Sequence, residues 1–118
     1  MVQARTDDRR FGPGESSGDD AVWRALGNPQ RRRLLDLLRG GPRTTGELCE
    51  AFPHSRFAVM KHLRILEEAE LVLVERRGRE RYNHINPVPI RRISRRWIRP
   101  IESRAADMLS RIKTIAEA

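Results

Sequence analysis

Residues 55–66, SRFAVMKHLRIL, combine basic and apolar side chains in a pattern that could read the edges of DNA bases. At 100° per residue, a helix over this segment places Val59, Leu63 and Leu66 on a core face. The opposite face then carries Phe57, Met60, Lys61 and Arg64. In a major groove, Lys and Arg donate hydrogen bonds to guanine, and apolar side chains contact the thymine methyl group. The pattern predicts that this face and Arg56 contact nucleic acid, with Ser55 as the N-cap near a phosphate.

A second group of basic side chains surrounds Gly78. Residues 71–85, LVLVERRGRERYNHI, are rich in Val, Leu, Tyr and Ile and predict two strands joined at a turn. Four arginines flank that turn, namely Arg76, Arg77, Arg79 and Arg81. Such a cluster is often only a solvated tip, but beside a DNA-reading helix it can contact the phosphate backbone or the minor groove. We expect these arginines to bind DNA, and Arg79 most of all.

The remaining residues with reactive side chains are His54, His62, His84 and Cys49. His62 lies close to the core face of its helix, which favours a partly buried, hydrogen-bonded histidine over a ligand, and we interpret Cys49 in the same way. No paired carboxylates, glycine-rich phosphate loop or Ser/His/Asp arrangement has a recognisable spacing, so we expect no enzyme, no cofactor and no metal site. Residues 31–33, all arginine, are weaker candidates for DNA contact because arginine at a helix start opposes the dipole.

Length and composition fit one basic domain. The chain has 118 residues, and 24 Lys and Arg against 16 Asp and Glu give a net charge of +8. This charge favours a polyanionic partner such as nucleic acid or an acidic membrane surface. The chain has no apolar run near the 18 residues of a membrane span, and its N-terminus does not resemble a signal peptide. With a single cysteine, we expect a cytoplasmic protein without a membrane partner.

The chain divides into a tail and a folded domain. Residues 1–18 combine Gly, Pro, Ser and mixed charge, and predict a disordered tail. Residues 19–118 are expected to form the domain. Its first helix should begin at Asp19, because two acids precede the apolar residues there and complement the helix dipole.

Capping residues predict the next helices. In NPQRRRLLDLLRGG, Asn28 is suited to the N-cap and Gly40 to the C-cap. In TTGELCEAF, Thr44 and Glu47 form a capping box that opens a short helix. A turn of three residues, PHS, separates this short helix from residues 56–66. Two helices joined by so short a turn form a helix-turn-helix arrangement.

Residues 90–116 carry an apolar stripe at helical spacing, which Pro100 should kink or interrupt. The stripe is too long to be covered by the preceding domain, so we expect it to pair with a second subunit in a homodimer. The residues predicted for this interface are Val22, Trp23, Leu26, Ile93, Trp97, Ile101, Met108 and Ile112. A two-fold dimer requires a pseudo-palindromic operator.

Several segments resemble the ArsR family of winged helix-turn-helix repressors. VWRALGNPQRRRLLDLL is similar to the family's first two helices, TTGELCEAF to its third, and KHLRILEEAELV to its recognition helix and first wing strand. The resemblance covers about residues 20–116. It implies a mainly α fold with a small β-hairpin and a long C-terminal dimerisation helix. It also implies a bacterial transcription repressor that binds double-stranded DNA.

The sequence departs from the metal-sensing members of that family. Their third helix has two cysteines around one residue, where this chain has Leu48, Cys49 and Glu50, and residues 87–118 lack the histidine of their C-terminal site. Family members also have polar residues at the positions of Phe57 and Met60, so no base preference is carried over. The inducing signal stays open. The alternatives are a metal-responsive repressor of the same fold and a protein-interaction module that uses the Phe57 and Met60 face.

Overall fold

The computed structural model describes residues 13–117, which form a mainly helical fold with one three-stranded antiparallel sheet. The elements are α1 Pro13–Leu26, α2 Pro29–Leu38, β1 Arg43–Thr44, α3 Thr45–Ala51, α4 Arg56–Glu68, β2 Val72–Arg77, β3 Glu80–Ile85, α5 Val88–Ile93 and α6 Arg99–Glu117. A π-helical turn, Ser94–Ile98, joins α5 to α6. We call α4 the recognition helix and the β2–β3 hairpin the wing. The predicted mainly α class with a hairpin and a long C-terminal helix is confirmed.

Three of the predicted helix caps are present in the structure. The side chain of Asn28 accepts two backbone N–H groups at the start of α2, at 2.8 and 3.2 Å. Thr44 and Glu47 form the capping box of α3, and this hydrogen bonding to Thr44 lowers the pKa of Glu47. Ser55 accepts the backbone N–H of Ala58 at 3.2 Å and caps α4. These local contacts confirm where α2, α3 and α4 begin.

The first helix begins at Pro13, ahead of the predicted Asp19. The prediction was wrong because Asp19 does not complement the helix dipole at a terminus. It lies within α1, is 7% exposed, and its Oδ1 accepts a hydrogen bond from Nε of Arg92 in α5 at 3.1 Å. The part of the predicted tail within residues 1–12 lies outside the described residues.

The end of α2 also differs from the prediction. The helix ends at Leu38, and Arg39 occupies the C-cap position that was predicted for Gly40. The backbone N–H of Arg39 bonds to carbonyl groups of the last turn, and the positive φ of 137° falls on Gly41. A glycine is needed at that position, one residue later than expected, because φ values in this region strain other residues.

The core lies where α1, α2, α3 and α4 meet the inner face of the sheet. The largest fully buried apolar side chains are Leu34, Leu38, Leu48, Leu66, Leu71, Val22, Val59 and Val72. Within α4, Val59, Leu63 and Leu66 are buried as predicted. The helical phase assigned to residues 55–66 is therefore confirmed.

The sheet contains a strand that the sequence did not predict. β1 pairs with β3, with Arg43 opposite Asn83, so the strand order is β1-β3-β2. Asn83 is 1% exposed, and its Nδ2 donates to the carbonyl of Arg43 at 3.2 Å and to Oγ1 of Thr45 at 3.1 Å. These hydrogen bonds fix the wing against the start of α3.

The C-terminal helical segment changes its hydrogen bonding just before Pro100. In the π turn, the backbone N–H of Arg99 bonds to the carbonyl of Ser94. This agrees with the predicted interruption, since Pro100 has no N–H and its ring crowds the preceding turn. After it, α6 buries none of its described side chains against the rest of the chain. Within residues 13–117, none of the helices is long and apolar enough to cross a membrane.

Two of the residues predicted for the dimer interface lie in the core of their own chain. Val22 and Ile93 are 1% and 2% exposed, because both pack in the core of their own chain. Trp23 and Trp97 are exposed, and Leu26 is half-buried. The remaining predicted residues, Ile101, Met108 and Ile112, lie on α6 and are exposed.

Candidate nucleic-acid interface

The recognition helix presents a basic and apolar surface to solvent. Phe57 is 80% exposed and Met60 is 37% exposed. Arg56, Lys61 and Arg64 are also exposed, and their side chains make no ion pair or hydrogen bond within residues 13–117. The first turn of this helix is capped by Ser55, so its side chains are held on a regular helix. The basic hydrogen-bond donors and the apolar side chains predicted for this face are therefore both accessible to a partner.

Arg31 holds the recognition helix against the two preceding helices. Its Nε donates to the carbonyl of Ala25 at 2.8 Å, and its Nη2 donates to the carbonyl of Arg24 at 3.1 Å. Its Nη1 lies 3.4 Å from Nδ1 of His62 on α4. Because arginine only donates, Nδ1 of His62 is the acceptor. One side chain thus connects the end of α1, the start of α2 and the middle of α4.

His62 is half-buried and hydrogen-bonded, as predicted. Burial lowers its pKa, and the positive charge of Arg31 lowers it further. A neutral imidazole matches the acceptor role towards Arg31. His62 therefore positions α4.

The neighbouring arginines also bond to the protein itself. Nη1 of Arg32 donates to the carbonyl of Leu26 at 2.7 Å, and so caps the end of α1. The guanidinium of Arg33 lies 6.0 Å from the ring centroid of Phe52. These contacts explain arginines at the start of α2 without a nucleic-acid partner.

The register of the wing divides three of its four arginines between two faces, and the fourth, Arg79, lies in the turn. Arg76 lies opposite Arg81 in the β2–β3 pairing, on the same face as the buried Asn83. On this inner face, Nη2 of Arg81 lies 3.3 Å from Oε2 of Glu67 in the recognition helix. Arg76 and Arg79 make no ion pair or hydrogen bond with the described part of the chain. These two guanidinium groups are therefore available for an external anion.

Arg77 belongs to the outer face of the wing and has partners there. Its Nη2 lies 3.0 Å from Oε1 of Glu75, and its guanidinium lies 4.5 Å from the ring centroid of Tyr82. Glu75 also bonds to Nε2 of His84 at 3.0 Å. The hydrogen bonds from Arg77 and His84 lower the pKa of Glu75, so this carboxylate remains charged and offsets the charge of Arg77.

A cleft of about 250 Å³ separates the recognition helix from the wing. Side chains from distant parts of the chain meet there, including Arg56 and Met60 of α4 and Arg79 and Arg81 of the wing. Nε of Arg81 is buried without a hydrogen-bond partner among the described residues. The cleft therefore joins the two groups that the sequence analysis identified separately.

The third wall of this cleft could not be predicted from the sequence. Thr44, Thr45 and Gly46 line it, at the junction of β1 and α3. Thr44 was identified only as a helix cap. Its place in the cleft depends on the pairing of β1 with β3, and a strand of two residues has no alternation from which this pairing could be predicted.

The described residues contain no cluster of three or more His, Cys, Asp and Glu side chains that could hold a metal ion. Cys49 is a half-buried free thiol on α3.

Comparison with known proteins identifies this arrangement. Residues 26–75 match a helix-turn-helix domain family. The chain is 40% identical over 65 residues to the transcriptional repressor SdpR of Bacillus subtilis (strain 168). The aligned region covers 55% of this chain and 72% of that protein. The chain is also 35% identical over 86 residues to the uncharacterized HTH-type transcriptional regulator YuzN of the same strain. That alignment covers 67% of this chain and 94% of YuzN.

The fold of this chain is also similar to that of a solved transcriptional regulator. The ArsR-like transcriptional regulator from Rhodococcus sp. RHA1 is similar to this chain with a TM-score of 0.68 at 27% identity, over 87% of this chain and 96% of that one. The sequence relatives, the structural similarity and the helix-turn-helix with its wing agree. The chain belongs to the ArsR family of winged helix-turn-helix transcriptional regulators, which are DNA-binding proteins.

Proposed function

We propose that the chain is a homodimeric repressor that binds a pseudo-palindromic operator through the recognition helix and the wing. The observation that most directly supports this proposal is the cleft that Arg56 and Met60 of α4 line together with Arg79 and Arg81 of the wing. The proposed DNA-contacting residues are Ser55, Arg56, Phe57, Met60, Lys61, Arg64, Arg76, Arg77, Arg79 and Arg81. Arg77 should contribute least, because Glu75 already neutralises it.

Within this proposal, the parts of the surface have different tasks. The side chains of α4 read base edges in the major groove, while the wing arginines contact phosphates and fix the register on the duplex. A bound dimer prevents RNA polymerase from using the same DNA. The similarity to a named repressor supports this direction of regulation. The cytoplasm is the proposed compartment, where the thiol of Cys49, the chain's single cysteine, stays reduced.

The proposed dimer interface follows from the exposed face of α6. Ile101, Met108, Ile112 and Ile115 follow one another at helical spacing, and all are more than half exposed in the single chain. Trp23 and Trp97 are exposed as well. Monomeric proteins seldom leave such a row of large apolar side chains in water. Pairing with a second copy buries the row and places two recognition helices on one face of the duplex.

Two experiments test the proposal. The first selects the fragments of genomic DNA that the protein binds, and the second titrates the enriched sequence at several salt concentrations. We expect one enriched pseudo-palindrome, with affinity that falls by a factor of about 10³ or more between 50 and 200 mM salt. Arg56→Ala should weaken binding, whereas Arg39→Ala, at an exposed position paired with Asp36, serves as the matched control. Binding without an enriched sequence, or an affinity insensitive to salt, would contradict the proposal and favour a protein-interaction module.

A further inference from the structure

The recognition helix carries two apolar side chains that lie outside the core of the protein. Phe57 is the most exposed large apolar side chain within residues 13–117, at 80%, and Met60 lies one turn further along the same face. Neither belongs to the buried core cluster. Phe57 therefore contributes little to the packing of its own chain, and together with Met60 it forms an exposed apolar pair on this face.

The surroundings of these two side chains indicate an anionic occupant. Arg56, Lys61 and Arg64 lie on the same surface and make no ion pair with the described residues. Met60 lines the cleft together with Arg56, Arg79, Arg81 and Glu80, so the positive side chains there outnumber the one carboxylate. An apolar protein partner would have to desolvate this ring of charges, whereas the phosphates on both sides of a major groove match it. Charge complementarity therefore favours DNA over a protein at this apolar pair.

We propose, on the basis of the function proposed above, that Phe57 and Met60 determine operator specificity by contacting the 5-methyl groups of thymines. Neither side chain offers a suitable hydrogen-bonding group for a base edge, so neither can pair with the donor of cytosine or the acceptors of guanine. The thymine methyl is the apolar group exposed in the major groove. A thymine is thus the base whose edge these side chains can cover without leaving a polar group unpaired.

The spacing of the two residues predicts the spacing of their targets. Side chains three residues apart on a helix lie about 5 to 6 Å from each other. Successive bases on one strand are about 3.4 Å apart. Phe57 and Met60 should therefore contact methyl groups that lie within about two base pairs of each other in every half-site.

Replacement of thymine by deoxyuridine, one position at a time in the selected operator, tests this inference because it removes only the methyl group. We expect two sensitive positions in each half-site, where binding becomes about fourfold weaker per methyl group. Phe57→Ala should remove the sensitivity at one of these positions, and Met60→Ala at the other. Val88→Ala, at an exposed apolar position on α5, should retain both. Thermal unfolding of each variant checks that it folds.

The outcomes separate this inference from the function on which it rests. A selected operator whose affinity is unaffected by deoxyuridine overturns the methyl contacts and leaves the repressor function intact. Sensitivity that persists equally in Phe57→Ala and Met60→Ala assigns the methyl contact to other residues, and also overturns the inference. If no operator is selected, the proposed function fails, and the inference fails with it.

Discussion

Removal of the Arg79 side chain measures how much the wing contributes to DNA binding. Arg79 follows Gly78 in the turn of the wing, is exposed, and makes no ion pair within residues 13–117. If it contacts one phosphate, Arg79→Ala should lower the slope of log K against log salt by about 0.9. If this contribution vanishes at 1 M salt, the same slope makes binding about fivefold weaker at 0.15 M and about fifteenfold weaker at 0.05 M. The loss should be equal for specific and non-specific DNA, because phosphates carry no sequence information.

Fluorescence anisotropy with labelled operator, titrated at four or more salt concentrations, provides the slope. Arg77→Ala is the matched control on the same hairpin, since it removes the same charge from the outer face, where Glu75 lies 3.0 Å away. We expect less than half the slope change for this control. An unchanged slope in Arg79→Ala, or equal changes in the two variants, would refute the assignment of a phosphate contact to Arg79 in preference to Arg77. A loss confined to one operator base pair would mean that Arg79 reads a base.

Four further predictions concern different parts of the molecule. Lys61→Ala should weaken operator binding by about 1 to 3 kcal/mol without changing the thermal stability, as anisotropy and circular dichroism would show. Ile101→Glu places charge in the proposed seam and should give monomers in sedimentation, whereas Leu73→Glu, at an exposed wing position, should not. Asn83→Ala leaves two polar groups without their donor and should lower the free energy of unfolding in urea by about 2 to 4 kcal/mol. For His62, the lowered pKa means that the unfolded chain binds more protons, so its contribution to stability is present above about pH 6.5 and is lost as the pH falls towards the native pKa. The fall in Tm between pH 7.5 and 5.5 should therefore be smaller in His62→Gln than in the parent.

Features set by residues close in sequence could be predicted from the sequence. The caps formed by Asn28, Thr44 and Ser55 involve backbone groups two or three residues away. The two faces of α4 follow from the period of the helix, because residues three and four apart lie on the same side. The buried Leu66 and the exposed Phe57 were assigned correctly for this reason.

Features set by distant residues could not be predicted. Asp19 pairs with Arg92, and nothing near Asp19 in the sequence indicates that partner. The strand β1 pairs with β3, and Asn83 of β3 donates to the backbone carbonyl of Arg43, which is forty residues away in the sequence. The division of the wing arginines also depends on the β2–β3 register, which places Arg81 beside Arg76 on the face towards the recognition helix and leaves Arg77 on the other face. Composition alone treats all four arginines as equivalent.

The residues that hold the recognition helix differ from those that could read DNA. Leu66 and His62 face the protein, and the Arg31 hydrogen bonds connect α4 to α1. Phe57 and Lys61 face solvent and contribute little to the packing. Because the two sets are separate, affinity and stability should change independently: substitution of the exposed set should alter operator choice at nearly constant Tm. Asn83 is the opposite case, since it holds the wing against α3 and its loss should reduce both stability and binding.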